Sequence, residues 1–192
     1  MFTTAILIAG GRVRGRQTPR PLRREKGLSR LELAVENALS SCADEVVVVL
    51  GKRVAHAREM LEPRGRLKVV VDAVHTEKRA ALLAAGVRAA SPEATAYYVE
   101  YADDRAAASA DLDLFLSAAV REGKPIAVRR DSGRADIFPL LFLRSVRSEL
   151  LADLDDEGLR RAVERDPSRL CVVKNEPPVA EHAPVGRRGR AR

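Results

Sequence analysis

Thr3-Thr4-Ala5-Ile6-Leu7-Ile8-Ala9-Gly10-Gly11-Arg12-Val13-Arg14 is the stretch whose reading decides the fold. Its first seven residues carry no charge and have the length of a strand buried on both faces. The two glycines that follow let the chain turn sharply and bring its backbone close to a ligand. Exposed amides in such a turn can hold phosphate oxygens, and arginines add charge-assisted, often bidentate bonds. The turn lacks the Gly-Lys-Ser/Thr ending of a P-loop and the GxGxxG of a dinucleotide fold. On charge pattern alone it fits a solvated turn with surface arginines equally well.

Outward from this stretch, apolar runs and helical periods alternate. Leu28 to Leu39 places Leu31, Ala34, Val35, Ala38 and Leu39 on one helical face. Further strands are expected at Glu45–Leu50, Leu67–Val71, Ala94–Tyr101, Pro125–Val128, Ile137–Leu143 and Arg169–Val173. Helices are expected at Val54–Leu61, Glu77–Ala90, Leu112–Val120, Val146–Leu151 and Glu157–Val163. This order predicts an α/β fold: three layers, with a mostly parallel, Rossmann-like sheet and helices on both faces, joined by right-handed crossovers. The domain is expected to span 1–176. From about Pro177 onward Pro, Gly and Arg dominate and periodicity ends, so 177–192 reads as a flexible basic tail.

The 192 residues suffice for one domain with a real core, and 46% are apolar but only 4% aromatic. No apolar run reaches the ~20 residues that span a bilayer, and no basic region precedes the first apolar stretch. A cytoplasmic protein without membrane contact is the expectation. Cys42 and Cys171 lack metal-ligand spacing, and His56, His75 and His182 are scattered, which disfavours a zinc site and reads the thiols as reduced. The net charge is +7. Arg12, Arg14, Arg16, Arg20, Arg23, Arg24 and Lys26 stand against Glu25 alone, and Arg187, Arg188, Arg190 and Arg192 crowd the tail, so the remaining body is slightly acidic. A field concentrated in one loop suits a polyanionic ligand.

Ile8-Ala9-Gly10-Gly11-Arg12-Val13-Arg14, followed by Pro19-Arg20-Pro21-Leu22, resembles the signature loop of the MobA-like nucleotidyltransferases, which include the molybdenum cofactor guanylyl- and cytidylyltransferases. The family pattern runs roughly Leu-Ala-Gly-Gly-x-Ser-x-Arg-Met-Gly, then a Lys that falls at Arg20. Gly27-Leu28-Ser29-Arg30-Leu31 resembles the helix start that follows. The detail departs: the family's Ser is Val13, its next Arg is Gly15 and its Met-Gly is Arg16-Gln17, with Arg16 placed to replace the missing Arg. The resemblance implies a sheet of the nucleotide-diphospho-sugar-transferase type. It implies a nucleoside triphosphate over Ala9, Gly10, Gly11, Arg12, Arg14 and Arg20, with Arg16, Arg20 and Asp103 catalytic.

In open α/β sheets the ligand lies beyond the carboxyl ends of the strands. Asp103-Asp104 follows the fourth strand there, where a carboxylate can hold Mg²⁺. The resemblance makes Asp103 the metal ligand, with Arg105 at the family's proline; on its own the acid also fits a cap on the next turn. Asn175-Glu176-Pro177 is similar to a family motif that supplies a second metal ligand, making Asn175 the candidate, although a turn before the tail fits as well. Gly133 to Leu140 is similar to a family stretch on the acceptor side, and also to an ordinary strand entry. The family's Gly/Ser-rich segment after the third strand is His75-Thr76-Glu77-Lys78-Arg79 here, where Lys78 or Arg79 meets a phosphate or forms an exposed first helical turn. The implied reaction moves GMP from GTP, or CMP from CTP, to a phosphorylated acceptor such as molybdopterin, with Mg²⁺ as cofactor. Two other functions stay open: a non-catalytic relative that binds nucleotide or cofactor, and a nucleic-acid binder using the basic loop and tail. The latter lacks interleaved aromatics.

Overall fold

The computed structural model describes residues 1–10, 18–25, 27–61, 64–74, 78–102, 109–129, 139–152 and 155–173. The large sheet has seven strands in the order β5-β4-β1-β6-β8-β7-β9. These are β1 (Thr3–Ala9), β4 (Glu45–Gly51), β5 (Leu67–Asp72), β6 (Ala96–Tyr101), β7 (Ile126–Arg129), β8 (Leu140–Leu143) and β9 (Leu170–Val173). A separate ladder of β2 (Arg24–Glu25) and β3 (Leu28–Ser29) precedes the first helix. β1 pairs in parallel with β4 and β6, and β4 with β5. Every residue of β1, β4 and β6 is buried, as their largely apolar runs require, Glu45 and Glu100 included.

β8 alone runs antiparallel, between β6 and β7. The residues between Arg129 and Leu140 offer no apolar period long enough for a crossover helix, so the chain returns beside the strand it has just left. β7 and β9 are parallel, so their carboxyl ends lie on the same edge as those of β1, β4, β5 and β6.

Strand alternation sorts the core into two layers. Ala5, Leu7, Val46, Val48 and Tyr98 face α1 (Arg30–Leu39) and α3 (Ser109–Glu122), through Leu31, Ala34, Val35, Leu112 and Phe115. Ile6, Ile8, Val47, Val49, Tyr97 and Val99 face α2 (Arg79–Ala89), α4 (Arg147–Leu150) and α5 (Asp156–Glu164). α1 begins two residues later than the apolar period suggests. Ser29 accepts a bond from the Glu32 amide, and the Glu32 carboxylate accepts one from the Ser29 amide at 2.7 Å. This capping box fixes the first turn, and its bonds hold the Glu32 carboxyl below its ordinary pKa. The expected helix at Val54–Leu61 is a 3₁₀ helix over Lys52–Met60, whose buried residues Val54 and Ala57 are three apart. That spacing suits three residues per turn rather than 3.6.

The far, amino-terminal edge is held by Glu45. Its carboxylate accepts bonds from Thr4 Oγ1 at 3.0 Å, the Ser91 amide at 2.8 Å and Lys68 Nζ at 2.9 Å. Burial raises the pKa of this acid, and the three donors outweigh burial and leave it below the ordinary value.

Candidate functional site at the carboxyl edge of the sheet

Ala9 ends β1 fully buried, and Gly10 carries the chain out at the carboxyl edge. Gly10 is packed to its backbone. A Cβ placed there would lie 2.6 Å from Leu82 Cδ1 of α2 and 3.5 Å from the Gly51 backbone at the end of β4. Gly10 therefore lets Leu82 of α2 and the Gly51 backbone close onto the end of β1. Ala102, directly after β6, donates its amide to Ile8 O at 3.0 Å. The segment that continues into Asp103 thus leaves the sheet beside Gly10.

Arg20 opens a one-turn 3₁₀ helix (Arg20–Leu22) in which Pro21 is buried, and this turn packs against both α1 and the Lys52–Met60 segment. Arg20 is exposed, on a turn packed against the segment that follows β4. Of the expected nucleotide-binding residues the structure describes Ala9, Gly10 and Arg20. Gly11, Arg12, Arg14, Arg16, Asp103 and Asn175 lie outside the described residues. The ends of β6 and β9 are three strand positions apart, about 14 Å at the usual spacing, a span that residues from 103 and from 174 onward would have to close to share one ion.

The edge holds more positive charge than the first loop alone. Lys52 and Arg53 start the segment after β4, and Lys78 and Arg79 start α2. α2 runs back from this edge, with Leu82 beside Gly10 and Gly86 beside Ile6 and Val49. Its first turn contains no acid, and Lys78 gives no side-chain cap. Arg79 lies over the buried Tyr101 ring, 4.4 Å from its centroid, in a cation–π contact at the end of β6.

On the other side of β6, sequence reasoning missed an ionic group. Arg129, at the end of β7, donates to both oxygens of Asp111 in the first turn of α3, at 3.1 and 2.6 Å. The side chains are 15% and 21% exposed, and the guanidinium also lies over Phe115. The pair ties the strand end that leads into residues 130–138 to the helix that follows Asp103. Glu100, buried on β6, and Tyr98 line a small hollow with Asn37, Ser41, Ser109 and Leu112. Burial and the Glu100 and Asp111 charges push the Tyr98 phenol far above its ordinary pKa, so it stays protonated. A signal for this group was present: Glu100 interrupts the apolar run Tyr97 to Tyr101, and an acid inside a buried strand is rarely without purpose.

Thiol chemistry has no support here. Desolvation and Asp113 push the Cys42 thiol up to about 11, and desolvation and Glu122 push that of Cys171 up to about 11. Among the described residues no group of three or more His, Cys, Asp or Glu gathers to hold a metal, and no helix is long and apolar enough to cross a membrane.

The family model described as MobA-like NTP transferase domain matches residues 5–171. No curated protein sequence matches the chain. Among solved structures, Rv0371c of Mycobacterium tuberculosis H37Rv is similar at 24% identity and TM-score 0.75, over 91% of this chain and 89% of that one. A second structure of that protein, a complex with manganese, gives 21% identity and TM-score 0.71 over 91% and 88%. A nucleotidyl transferase from Methanothermobacter gives 23% identity and TM-score 0.73 over 92% and 88%. At these identities the likeness establishes a shared fold.

Proposed function

Because the chain belongs to the MobA-like NTP transferase family, we propose that it transfers a nucleoside monophosphate from GTP, with CTP as the alternative donor, to a phosphorylated acceptor of the molybdopterin type. The observation that carries this reading is the turn out of β1 at Gly10, at the carboxyl edge where the cationic segments starting at Lys52 and at Lys78-Arg79 also begin and where the chain leaves β6 toward Asp103.

In this mechanism the triphosphate lies over Gly10-Gly11, where backbone amides meet its oxygens and no Cβ keeps them away. Arg12, Arg14, Arg16 and Arg20 balance its charge. An oxygen of the acceptor phosphate attacks the α-phosphorus in line, the bond to the β-phosphate bridging oxygen breaks, and pyrophosphate leaves. No protein nucleophile is needed, since positioning and electrostatics supply the catalysis.

Asp103 and Asn175 offer hard oxygen donors, the chemistry that suits Mg²⁺. A Mg²⁺ site built from one or two protein oxygens plus substrate phosphates needs no cage of side chains. When bound, the ion would neutralise phosphate charge as the leaving group departs. Asp111 and Arg129 would hold the helix after Asp103 in place. The reading takes 1–176 as the catalytic domain, 177–192 as a basic appendage and the cytoplasm as its location.

The test is pyrophosphate release from GTP or CTP with molybdopterin or another phosphorylated acceptor, expected to be Mg²⁺-dependent and lost in Asp103→Ala. Absence of release with every such acceptor would overturn the transferase reading. One observation favours a second reading, a nucleotide binder without turnover: Val13, Gly15, Arg16 and Gln17 replace the family's Ser, Arg and Met-Gly. Tight calorimetric binding of nucleotide that is indifferent to Mg²⁺ would favour it.

A further inference from the structure

β5 is an edge strand, and the charged residues near its ends, Lys68 and Asp72, are the only features in it of the kind that blunts such an edge. It contains no proline or glycine, and six consecutive residue pairs keep unbroken register with β4. Its centre is Val69-Val70-Val71, a composition suited to a buried strand. Yet Val69 and Val70 are only partly buried, and Val71 and the following Val74 are 37% and 82% exposed.

The register shows which groups the edge presents. Val46 donates its amide to Arg66 O at 2.8 Å while lying opposite Leu67. In a parallel ladder this turns the amide and carbonyl of Lys68, Val70 and Asp72 toward β4. The backbone groups of Leu67, Val69 and Val71 point away from the sheet. Among the described residues no strand lies on that side.

The sequence of this edge is complementary to itself. In an antiparallel pairing centred on Val70, Val69 exchanges backbone bonds with the second copy's Val71, and Val70 faces its own counterpart. Lys68 then stands directly opposite the second copy's Asp72, twice per pair. Lys68 is half exposed and uses two of its three ammonium protons, on Glu45 Oε1 and Ala89 O. The third remains to be given across the interface. Shifting the centre by one residue in either direction puts Val70 or Val74 opposite Lys68 and loses the match.

We infer that β5 is the interface with a second copy of this chain, forming one continuous sheet through antiparallel β5–β5 pairing centred on Val70. The two carboxyl edges then point in opposite directions, and each remains open to its own ligands. The inference does not depend on the proposed reaction.

Sedimentation velocity of the full chain tests it, with twice the chain mass expected. Val71→Pro removes an outward N–H without touching the β4 ladder, and Asp72→Lys sets like charges opposite each other. Each should raise the dimer dissociation constant roughly tenfold or more. In a Cys42→Ser background, Val70→Cys should give a covalent dimer on mild oxidation, since non-hydrogen-bonded partners place Cα atoms about 4.5 Å apart, within disulfide reach. Val74→Cys, more exposed but off the axis, should cross-link far more slowly. If Val71→Pro impairs folding by circular dichroism, the other two variants decide. A monomeric wild type, a dimer indifferent to both interface variants, or equal cross-linking at 70 and 74 would each overturn the inference.

Discussion

Gly86 sits inside α2, where helix propensity and packing make opposite predictions for Gly86→Ala. Propensity favours alanine by about 0.8–1.0 kcal/mol in a helix interior. Packing opposes it. The new Cβ would lie 2.5 Å from Ile6 Cγ2 and 3.1 Å from Val49 Cγ2, against an ordinary carbon–carbon separation of about 3.5–4.0 Å. Both neighbours are fully buried and β-branched, on strands paired on both sides. Their χ1 angles are stiff, and their backbones are fixed by two ladders each. The helix therefore has to lift by about 1 Å, the shortfall at Ile6. Overpacking of this kind costs about 1–3 kcal/mol. With the shorter contact well below any tolerated distance, the upper part of that range applies. The net effect is destabilisation by about 1–2 kcal/mol.

Urea denaturation read by far-UV circular dichroism measures this directly. Ile6→Ala removes the offending methyl and should by itself cost about 2–5 kcal/mol. The double variant should then be more stable than the sum of the single effects, because the new methyl fills part of the cavity. Lifting α2 would also move Leu82 off Gly10 and Arg79 off Tyr101, so nucleotide binding should weaken in Gly86→Ala. A Gly86→Ala protein as stable as wild type or more so would show that propensity outweighs the contact, and would refute the close packing of α2 on β1 and β4.

Two further perturbations follow from the buried ionic groups. The folded-state pKa of Glu45 lies below its unfolded value, so its stabilisation is whole above the ordinary 4.5 and is lost as the pH falls through the lowered value; Glu45→Gln should cost about 1–3 kcal/mol at neutral pH, and thermal melts across the acid range should show the gap closing. Asp111→Ala removes the carboxylate that accepts two bonds from the largely buried Arg129 and should cost about 3 kcal/mol, with much of the loss recovered in Asp111→Ala/Arg129→Met; equal melting temperatures for the single and double variants would contradict the pair's role.

The elements that were legible in the sequence are those whose signal is local. β1 is an uncharged run and β4 an apolar run behind a single acid, both closed by glycine, and such runs suit strands covered on both faces. α1 and α3 show a clean 3.6-residue period. The Ser29–Glu32 capping box was also legible in principle, as a Ser three residues ahead of a Glu. What was not legible depends on partners distant in sequence. The direction of β8 is set by its neighbours β6 and β7, since four apolar residues read the same either way. The pairing of Arg129 with Asp111 joins residues eighteen apart that neither motif nor period connects. Lys52, Arg53, Lys78 and Arg79 are scattered along the chain, where they read as ordinary surface charge. Only the fold gathers their segments at one edge.

That gathering changes how the altered first loop is understood. Val13, Gly15, Arg16 and Gln17 depart from the family's pattern without making the loop less basic, and the edge around it is supplied with cations from two other segments. Two of those cations start α2, where the helix dipole is positive and each adds an unfavourable contribution of about 0.3–1 kcal/mol. The Tyr101 ring relieves Arg79 in part; a bound polyanion would relieve both. Positive charge at this edge is therefore redundant, and loss of any one arginine should be felt mainly as a salt-sensitive change in affinity. The close backbone approach at Gly10 has no such substitute. Leu82 Cδ1 lies 2.6 Å from where a Cβ would stand, with the Gly51 backbone 3.5 Å away, so any side chain there would push α2 off the end of β1.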